Sequence, residues 1–526
     1  MNKKERVFIY DTTLRDGAQS EGVSFSTEDK AEILKKLDSF GIDFVEGGWP
    51  SSNPKDDDFF KDASGLDLKR TRLTAFGSTC KSGSPADKDP GLAALVECGT
   101  EYVCIFGKTW DFHVTDALKI SLSDNLKMVE DSVRFLRSRG KKIIFDCEHF
   151  FDGHRCNRDY AIDVVKAAVK GGAEWVVLCD TNGGSLPNDV SVATKDVIAS
   201  VDVNVGIHCH NDSDLAVACS LAAVDSGARM VQGTINGIGE RCGNANLCSI
   251  MPDLAIKMGY DIGAVDLTKL TALSGFIGET ANMSPHPGLP YVGERAFAHK
   301  GGIHVSALSK DTRTYEHVSP DLVGNKRRIL ISDMSGKASV SAKLKEFGIS
   351  GEAEDNASIL ERIKDLEAEG YQFEGAEASF EMLVKRFKGS ISRPFNVVGF
   401  RMYMDEAGEN GMVSEASVKV ADRHGNIEHT ACDGDGPVNA LDGALRKALA
   451  HFYPVLNSVR LTDYKVRVLD EKAATAARVR VLIRSTDGKD SWTTVGVSKN
   501  VIEASLMALV DSMEYAILKH ESSSNE

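Results

Sequence analysis

His208 and His210 flank a single cysteine in the run HCHND (208–212). Side chains two apart on a strand share a face, so both imidazoles can point at one cation. Two strand-end histidines with ordinary hydrogen-bond partners are the plainer alternative. Arg15 stands beside Asp16 in DTTLRDG (11–17), and Asn244 closes NGIGERCGN (236–244). Two imidazoles with a carboxylate and an amide oxygen form a mixed nitrogen and oxygen donor set. Such a set suits Mn²⁺, Zn²⁺ or Mg²⁺ without choosing between them. A divalent metal with open positions would polarise a bound carbonyl. Arg15 keeps its charge at any working pH and can hold a carboxylate or a developing oxyanion. An ion pair with a buried acid is its structural alternative.

These residues need a scaffold that brings them together. Short β-branched runs alternate with amphipathic stretches over residues 1–265, and strands are expected at 6–11, 43–48, 72–78, 102–107, 142–148, 174–180, 204–210 and 230–235. Helices are expected between them, among others at 26–41, 123–140 and 214–228, with Ser26 as N-cap and Gly41 at the C-terminal end of the first. Eight β/α units of this length predict an α/β TIM (β/α)8 barrel, with a doubly wound sheet as the alternative. Barrel active sites lie at the C-terminal ends of the strands. Asp11, Arg15 and Asp16 follow the first expected strand, Glu46 lies in the second, and Glu148 ends the fifth. Thr181 follows the sixth, His208 and His210 end the seventh, and Asn244 follows the eighth. Strands seven, eight and one are neighbours in a closed barrel, so the metal candidates can meet.

The chain has 526 residues, enough for two to four domains. Residues 266–390 break the alternation and read as a largely helical linker or lid subdomain. Within it, His304 in KGGIH and Tyr315 are isolated residues in an irregular stretch, and NKRR (325–328) is a solvated face or a holder of phosphates. Residues 391–526 carry the order strand-strand-strand-helix twice, a duplicated βββα unit of about 60 residues in an α+β domain. It carries few clusters suited to chemistry, so a regulatory or dimerisation role is expected. Each half needs cover for one sheet face, from the other half or from a second chain.

Net charge is −15, which disfavours nucleic acid and anionic membranes as partners. The apolar runs are too short for a membrane span, and MNKKER lacks the apolar core of a signal peptide. Eleven cysteines without C-x-x-C spacing read as reduced thiols, so a cytoplasmic protein is expected. The glycines of GIGERCG (237–243) have the wrong spacing and setting for a dinucleotide fingerprint.

Taken together, DTTLRDGAQ, HCHND, NGIGERCGN and VGERAFAHKGGIH resemble the metal-dependent enzymes that condense an acyl-CoA with a 2-oxoacid. That family holds the 2-isopropylmalate, homocitrate and citramalate synthases. GDGPVNALDGAL resembles its allosteric domain, and EGGWPSSNPKD (46–56) is similar to one citramalate branch. The resemblance implies that Asp16, His208, His210 and Asn244 bind the divalent metal. It implies that Arg15 and Thr181 hold the oxoacid, that Glu148 and His304 form an acid–base pair, and that Tyr315 contacts the acyl donor or assists hydrolysis. It further implies acetyl-CoA and pyruvate as substrates and (R)-citramalate with CoA as products, on a route to isoleucine. Isoleucine is the expected allosteric ligand, and a homodimer through the C-terminal domain is the expected assembly. An isopropylmalate synthase acting on 2-oxoisovalerate is the alternative. An acyl-CoA lyase shares the barrel but has no need of the duplicated domain.

Overall fold

The computed structural model describes residues 5–332, 335–347, 353–406, 412–470 and 476–523. Two compact units divide the chain: Met1–Phe297 with Val318–Lys326, and Ala298–His317 with Arg327–Glu526.

The first unit is built on eight strands: β1 (Phe8–Asp11), β2 (Phe44–Gly48), β3 (Arg72–Ser78), β4 (Tyr102–Lys108), β5 (Lys142–Glu148), β6 (Trp175–Asp180), β7 (Asn204–Cys209) and β8 (Met230–Gly233). All neighbours run parallel, and β8 pairs back onto β1 with Phe8 opposite Met230 and Asp11 opposite Gly233. The sheet is therefore a closed barrel, and the doubly wound alternative falls. Every expected strand is present. The ends read at Arg6 and His210 lie just outside, where these residues form single bridges to Asp261 and Asn244.

The first helix, Thr27–Phe40, shows why the local signals were readable. Ser26 accepts from the Asp29 N–H while Asp29 accepts from the Ser26 N–H, a reciprocal cap. Gly41 ends the helix at φ +101°, and a Cβ there would lie 2.3 Å from the Ala264 carbonyl oxygen. Ile33, Leu34 and Leu37 are fully buried between helix and barrel, where truncation of one leucine to alanine costs about 2–5 kcal/mol. The helix Leu270–Thr280 joins the same core through Leu270, Leu273 and Ile277. Inside the barrel, aromatic side chains fill the volume: Phe44 lies between Tyr10, Phe8 and Tyr102, and Trp175 meets Phe8 edge-on. Among the described residues no helix is long and apolar enough to cross a membrane.

The second unit opens with a parallel pair, β9 (Ala298–His299) and β10 (Arg328–Ile329), and the short helix Gly302–Leu308. Helices Lys337–Glu346, Ala353–Ala368 and Glu377–Phe387 follow. Two of the basic residues of NKRR are engaged by acids: Arg327 grips Glu316 with two bonds of 2.6 Å, and Arg328 reaches Glu377 at 3.3 Å. The duplication is present. One antiparallel sheet, β11 (Phe395–Glu406), β12 (Met412–Asp422) and β13 (Ile427–Gly434), is followed by the helix Pro437–Phe452. The other, β14 (Arg460–Val468), β15 (Val479–Thr486) and β16 (Ser491–Ser498), is followed by Val501–Ser523. Leu441 and Leu445 of the first half share one core with Ile483, Leu509 and Met513 of the second, so the halves cover each other. The outer ends of β11 and β14 leave Tyr403, Met404, Val466 and Val468 exposed.

Candidate active site

At the mouth of the barrel the chain leaves β1 through a turn fixed by Asp11. Its carboxylate accepts from the Thr13 N–H and hydroxyl, both at 2.9 Å, and Thr13 Oγ1 accepts from the Ile235 N–H at 3.0 Å. The turn is thereby tied to the end of β8. Burial pushes the Asp11 carboxyl up to about 7, although the Thr13 bonds pull it down. Arg15 and Asp16 come next. The Arg15 guanidinium donates Nε to Glu46 Oε2 at 2.5 Å and Nη1 to Asp16 Oδ1, and lies 3.7 Å over the Phe76 ring. Tyr10 donates its hydroxyl to Glu46 Oε1 at 2.8 Å. Burial alone would lower the Arg15 pKa, yet Asp16 and Glu46 hold it above the ordinary value. Burial pushes Glu46 up to about 7 against the pull of Arg15.

Asp16, His208, His210 and Asn244 come together here. Asn244 Nδ2 donates to Asp16 Oδ2 at 3.0 Å, and His208 Nε2 lies 3.6 Å from that oxygen. The His208 and His210 rings are 5.2 Å apart. Burial works to raise Asp16, but Arg15 and the two imidazoles hold it below the usual carboxylate range. Burial, with His208 beside it, pushes His210 down to about 3, so its imidazole is neutral at working pH. Among the described residues His210 Nδ1 and Asn244 Oδ1 are buried without hydrogen-bond partners. An ionised carboxylate, two imidazoles and orphaned acceptor atoms are the donor set a divalent cation takes. His, Cys, Asp and Glu alone do not form a set of three or more that could hold a metal among the described residues.

Asn244 reaches this place because the chain after β8 folds back beside β7. Asn211 N donates to Gly243 O and Ala245 N to Cys209 O, each at 2.9 Å. Gly243 sits at φ +91°, and a Cβ there would fall 2.1 Å from the Gly237 carbonyl oxygen. The glycines of GIGERCG thus serve this loop.

Glu148 and Thr181 stand at the same end of the barrel, Glu148 as the last residue of β5 and Thr181 just after the neighbouring β6. Glu148 is ion-paired with Lys108 of β4. Thr181 Oγ1 accepts from the His149 N–H at 2.8 Å, and Arg241 Nη2 donates to the Thr181 carbonyl oxygen at 2.8 Å. His149 holds φ +57° and places its ring 4.2 Å from His113 and its Nδ1 3.3 Å from Asp152. Burial and His149 lower the His113 pKa. Trp49, at the end of β2, meets Phe76 and Phe106 edge-on at 5.6 and 5.8 Å. These rings wall the mouth beside Arg15.

His304 and Tyr315 belong to the second unit. Both are exposed, and their rings stack at 3.9 Å. His304 lines an open cavity of about 840 Å³ with Gly302, Ile303, Lys310, Thr314 and Ser335.

The sequence reading missed Asp146 and Gln232. His208 Nδ1 bonds to Gln232 Oε1 at 2.8 Å, and Gln232 Nε2 donates to Asp146 Oδ1 at 3.0 Å. Both were within reach of the two-residue alternation: Asp146 precedes Glu148 by two on β5, and Gln232 is a polar residue inside an apolar strand.

Known proteins match nearly the whole length. Residues 6–277 match the HMGL-like family, 291–371 the homocitrate synthase post-HMGL domain-like family, and 374–517 the LeuA allosteric (dimerisation) domain. The chain is 54% identical to the (R)-citramalate synthase of Aquifex aeolicus, over 98% of this chain and 99% of that one. It is 52% identical to the (R)-citramalate synthase of Geobacter sulfurreducens, over 98% of each. A probable 2-isopropylmalate synthase of Methanopyrus kandleri is 34% identical over 96% of this chain and 97% of that one.

Proposed function

The chain belongs to the HMGL-like family, among its citramalate synthases, and from that membership we propose that it condenses acetyl-CoA with pyruvate to give (R)-citramalate and CoA. The observation that carries this reading to the site is the group Asp16, His208, His210 and Asn244 gathered beside Arg15 at the barrel mouth. These four side chains would hold a divalent cation, Mn²⁺, Mg²⁺ or Zn²⁺, which when bound makes the ketone of the oxoacid electrophilic. The remaining chemistry falls to the chain itself. Arg15 offers a fixed positive charge to the oxygen that becomes anionic as the new bond forms. The Thr181 hydroxyl, oriented by the His149 N–H, holds the oxoacid carboxylate.

The resemblance assigns acid–base roles to Glu148 of the first unit and to His304 of the second. The base takes a proton from the methyl group of the thioester, and the resulting carbon nucleophile bonds to the ketone carbon of pyruvate. The ketone oxygen ends as a hydroxyl. Water then cleaves the thioester, giving a carboxylate and the free thiol of CoA. Tyr315, stacked on His304, contacts the acyl donor or assists that hydrolysis. The open cavity beside His304, with Lys310 on its wall, suits part of an anionic thioester cofactor.

The C-terminal domain is the regulatory part, with isoleucine as its ligand and a homodimer as its assembly; the match to the LeuA allosteric (dimerisation) domain supports a regulatory and dimerising role. A cytoplasmic location fits a pathway enzyme using CoA. The 34% identity to an isopropylmalate synthase keeps 2-oxoisovalerate as the second substrate to compare. The test is thiol release from acetyl-CoA with pyruvate and with 2-oxoisovalerate in parallel, each with Mn²⁺. Preference for pyruvate is the expected result. Preference for 2-oxoisovalerate overturns the assignment and makes leucine the effector.

A further inference from the structure

We propose that Gln232 and Asp146 are positioning residues that fix the tautomer of His208. They form a hydrogen-bonded arm from β5 through β8 to β7 that keeps the proton on His208 Nδ1 and leaves Nε2 bare as the metal-facing atom. The metal reading above is its premise.

The polarity of the arm follows from chemistry at its far end. Gln232 Nε2 donates to Asp146 Oδ1 at 3.0 Å, and an amide nitrogen only donates. The amide must therefore turn its NH₂ toward Asp146 and its oxygen toward His208. That oxygen lies 2.8 Å from His208 Nδ1 and also only accepts, so His208 supplies the proton. In a neutral imidazole the other nitrogen is then bare. It is Nε2, the atom 3.6 Å from Asp16 Oδ2. Gln232 is fully buried, Asp146 is 3% exposed and His208 5% exposed, so water does not compete for these bonds. His208 and Gln232 are register partners across β7 and β8. The arm is thus set by the strand pairing and needs no loop to hold it.

His210 offers the contrast. Its Nδ1 has no hydrogen-bond partner among the described residues. One imidazole of the pair arrives with its tautomer fixed, and the other is left to adapt.

The experiment uses the full chain without substrates. Solid-state NMR of ¹⁵N-histidine-labelled protein, with His208 assigned by difference from His208→Asn, should show the proton on Nδ1. Mn²⁺ binding by calorimetry should weaken about 10- to 100-fold in Gln232→Met, which keeps the bulk and removes the acceptor. The exchange Asp146→Asn with Gln232→Glu rebuilds both bonds with donor and acceptor reversed at the first, and should restore Mn²⁺ affinity to within about threefold of the native value. A native His208 with its proton on Nε2 overturns the arm, and that measurement needs no variant to fold. Unchanged Mn²⁺ affinity in a folded Gln232→Met overturns it as well. A native chain that gives these results but releases CoA with neither oxoacid supports the arm while removing the proposed reaction.

Discussion

The backbone N–H of His149 donates to Thr181 Oγ1 at 2.8 Å from a left-handed backbone at φ +57°. A non-glycine residue there is strained, by an amount of order 1–3 kcal/mol. The strain is offset locally: the same residue bonds Asp152 through Nδ1, and Asp152 accepts in turn from Asn182 and Arg155. With its oxygen lone pair engaged, the Thr181 hydroxyl directs its own proton elsewhere. Thr181→Val removes that donor and leaves the shape. Steady-state kinetics should show KM for pyruvate raised about tenfold or more, with a smaller fall in kcat.

Asp16→Ala removes the ionised member of the donor set and leaves Arg15 with Glu46 alone. Bound Mn²⁺ should fall below detection by elemental analysis after dialysis, and thiol release should drop at least about 100-fold. Full activity in metal-depleted buffer would remove the site from the reaction.

His304→Ala should lower kcat by about 10²- to 10⁴-fold while KM for pyruvate stays within a few-fold. A rate unchanged in single-turnover measurement would mean that another group is the base.

Trp49 stands edge-on to Phe76 and Phe106 beside Arg15. Trp49→Leu opens that wall. The ratio of kcat/KM for pyruvate over 2-oxoisovalerate should fall about tenfold or more. An unchanged ratio would place the selecting contacts on another strand.

Asp11 gives a pH signature. Its carboxyl is raised from 3.8 to about 7 by burial, so the folded chain holds the proton more tightly than the unfolded chain. Its contribution to stability is complete below about pH 4, declines as pH rises toward 7, and is level above. Between pH 5 and pH 8 that decline is roughly 2–3 kcal/mol, and Asp11→Asn should abolish it. Urea unfolding of both proteins at the two pH values measures the difference. A native slope that persists in the variant would assign it to another acid, with Glu46 next in line.

Much of this was legible in the chain because the signals were local. RVFIYD, KIIFDCE and WVVLCD read as buried strands from their β-branched residues, and Ser26, Asp29 and Gly41 marked a helix at both ends. HCHND needed only the two-residue alternation. What stayed hidden depends on closure and backbone shape. Asp146 and Gln232 are 86 residues apart and meet only inside the barrel. Nothing in the letters EHFFDG announces a left-handed histidine. The same limit applies to His304, whose motif suggests a role but not the compact unit that carries it.

Asp16 and Asn244 are separated by 228 residues. At 5–20 residues per second of synthesis, roughly ten to fifty seconds pass between their appearances. During that interval Arg15 and Asp16 are already in the nascent chain, but no pocket exists in which an ion could lodge. An ion bound at the proposed site would favour the closed barrel over the open chain by mass action. A product truncated before Asn244 would lack the side chain that bonds Asp16 and, with it, one donor of the proposed site.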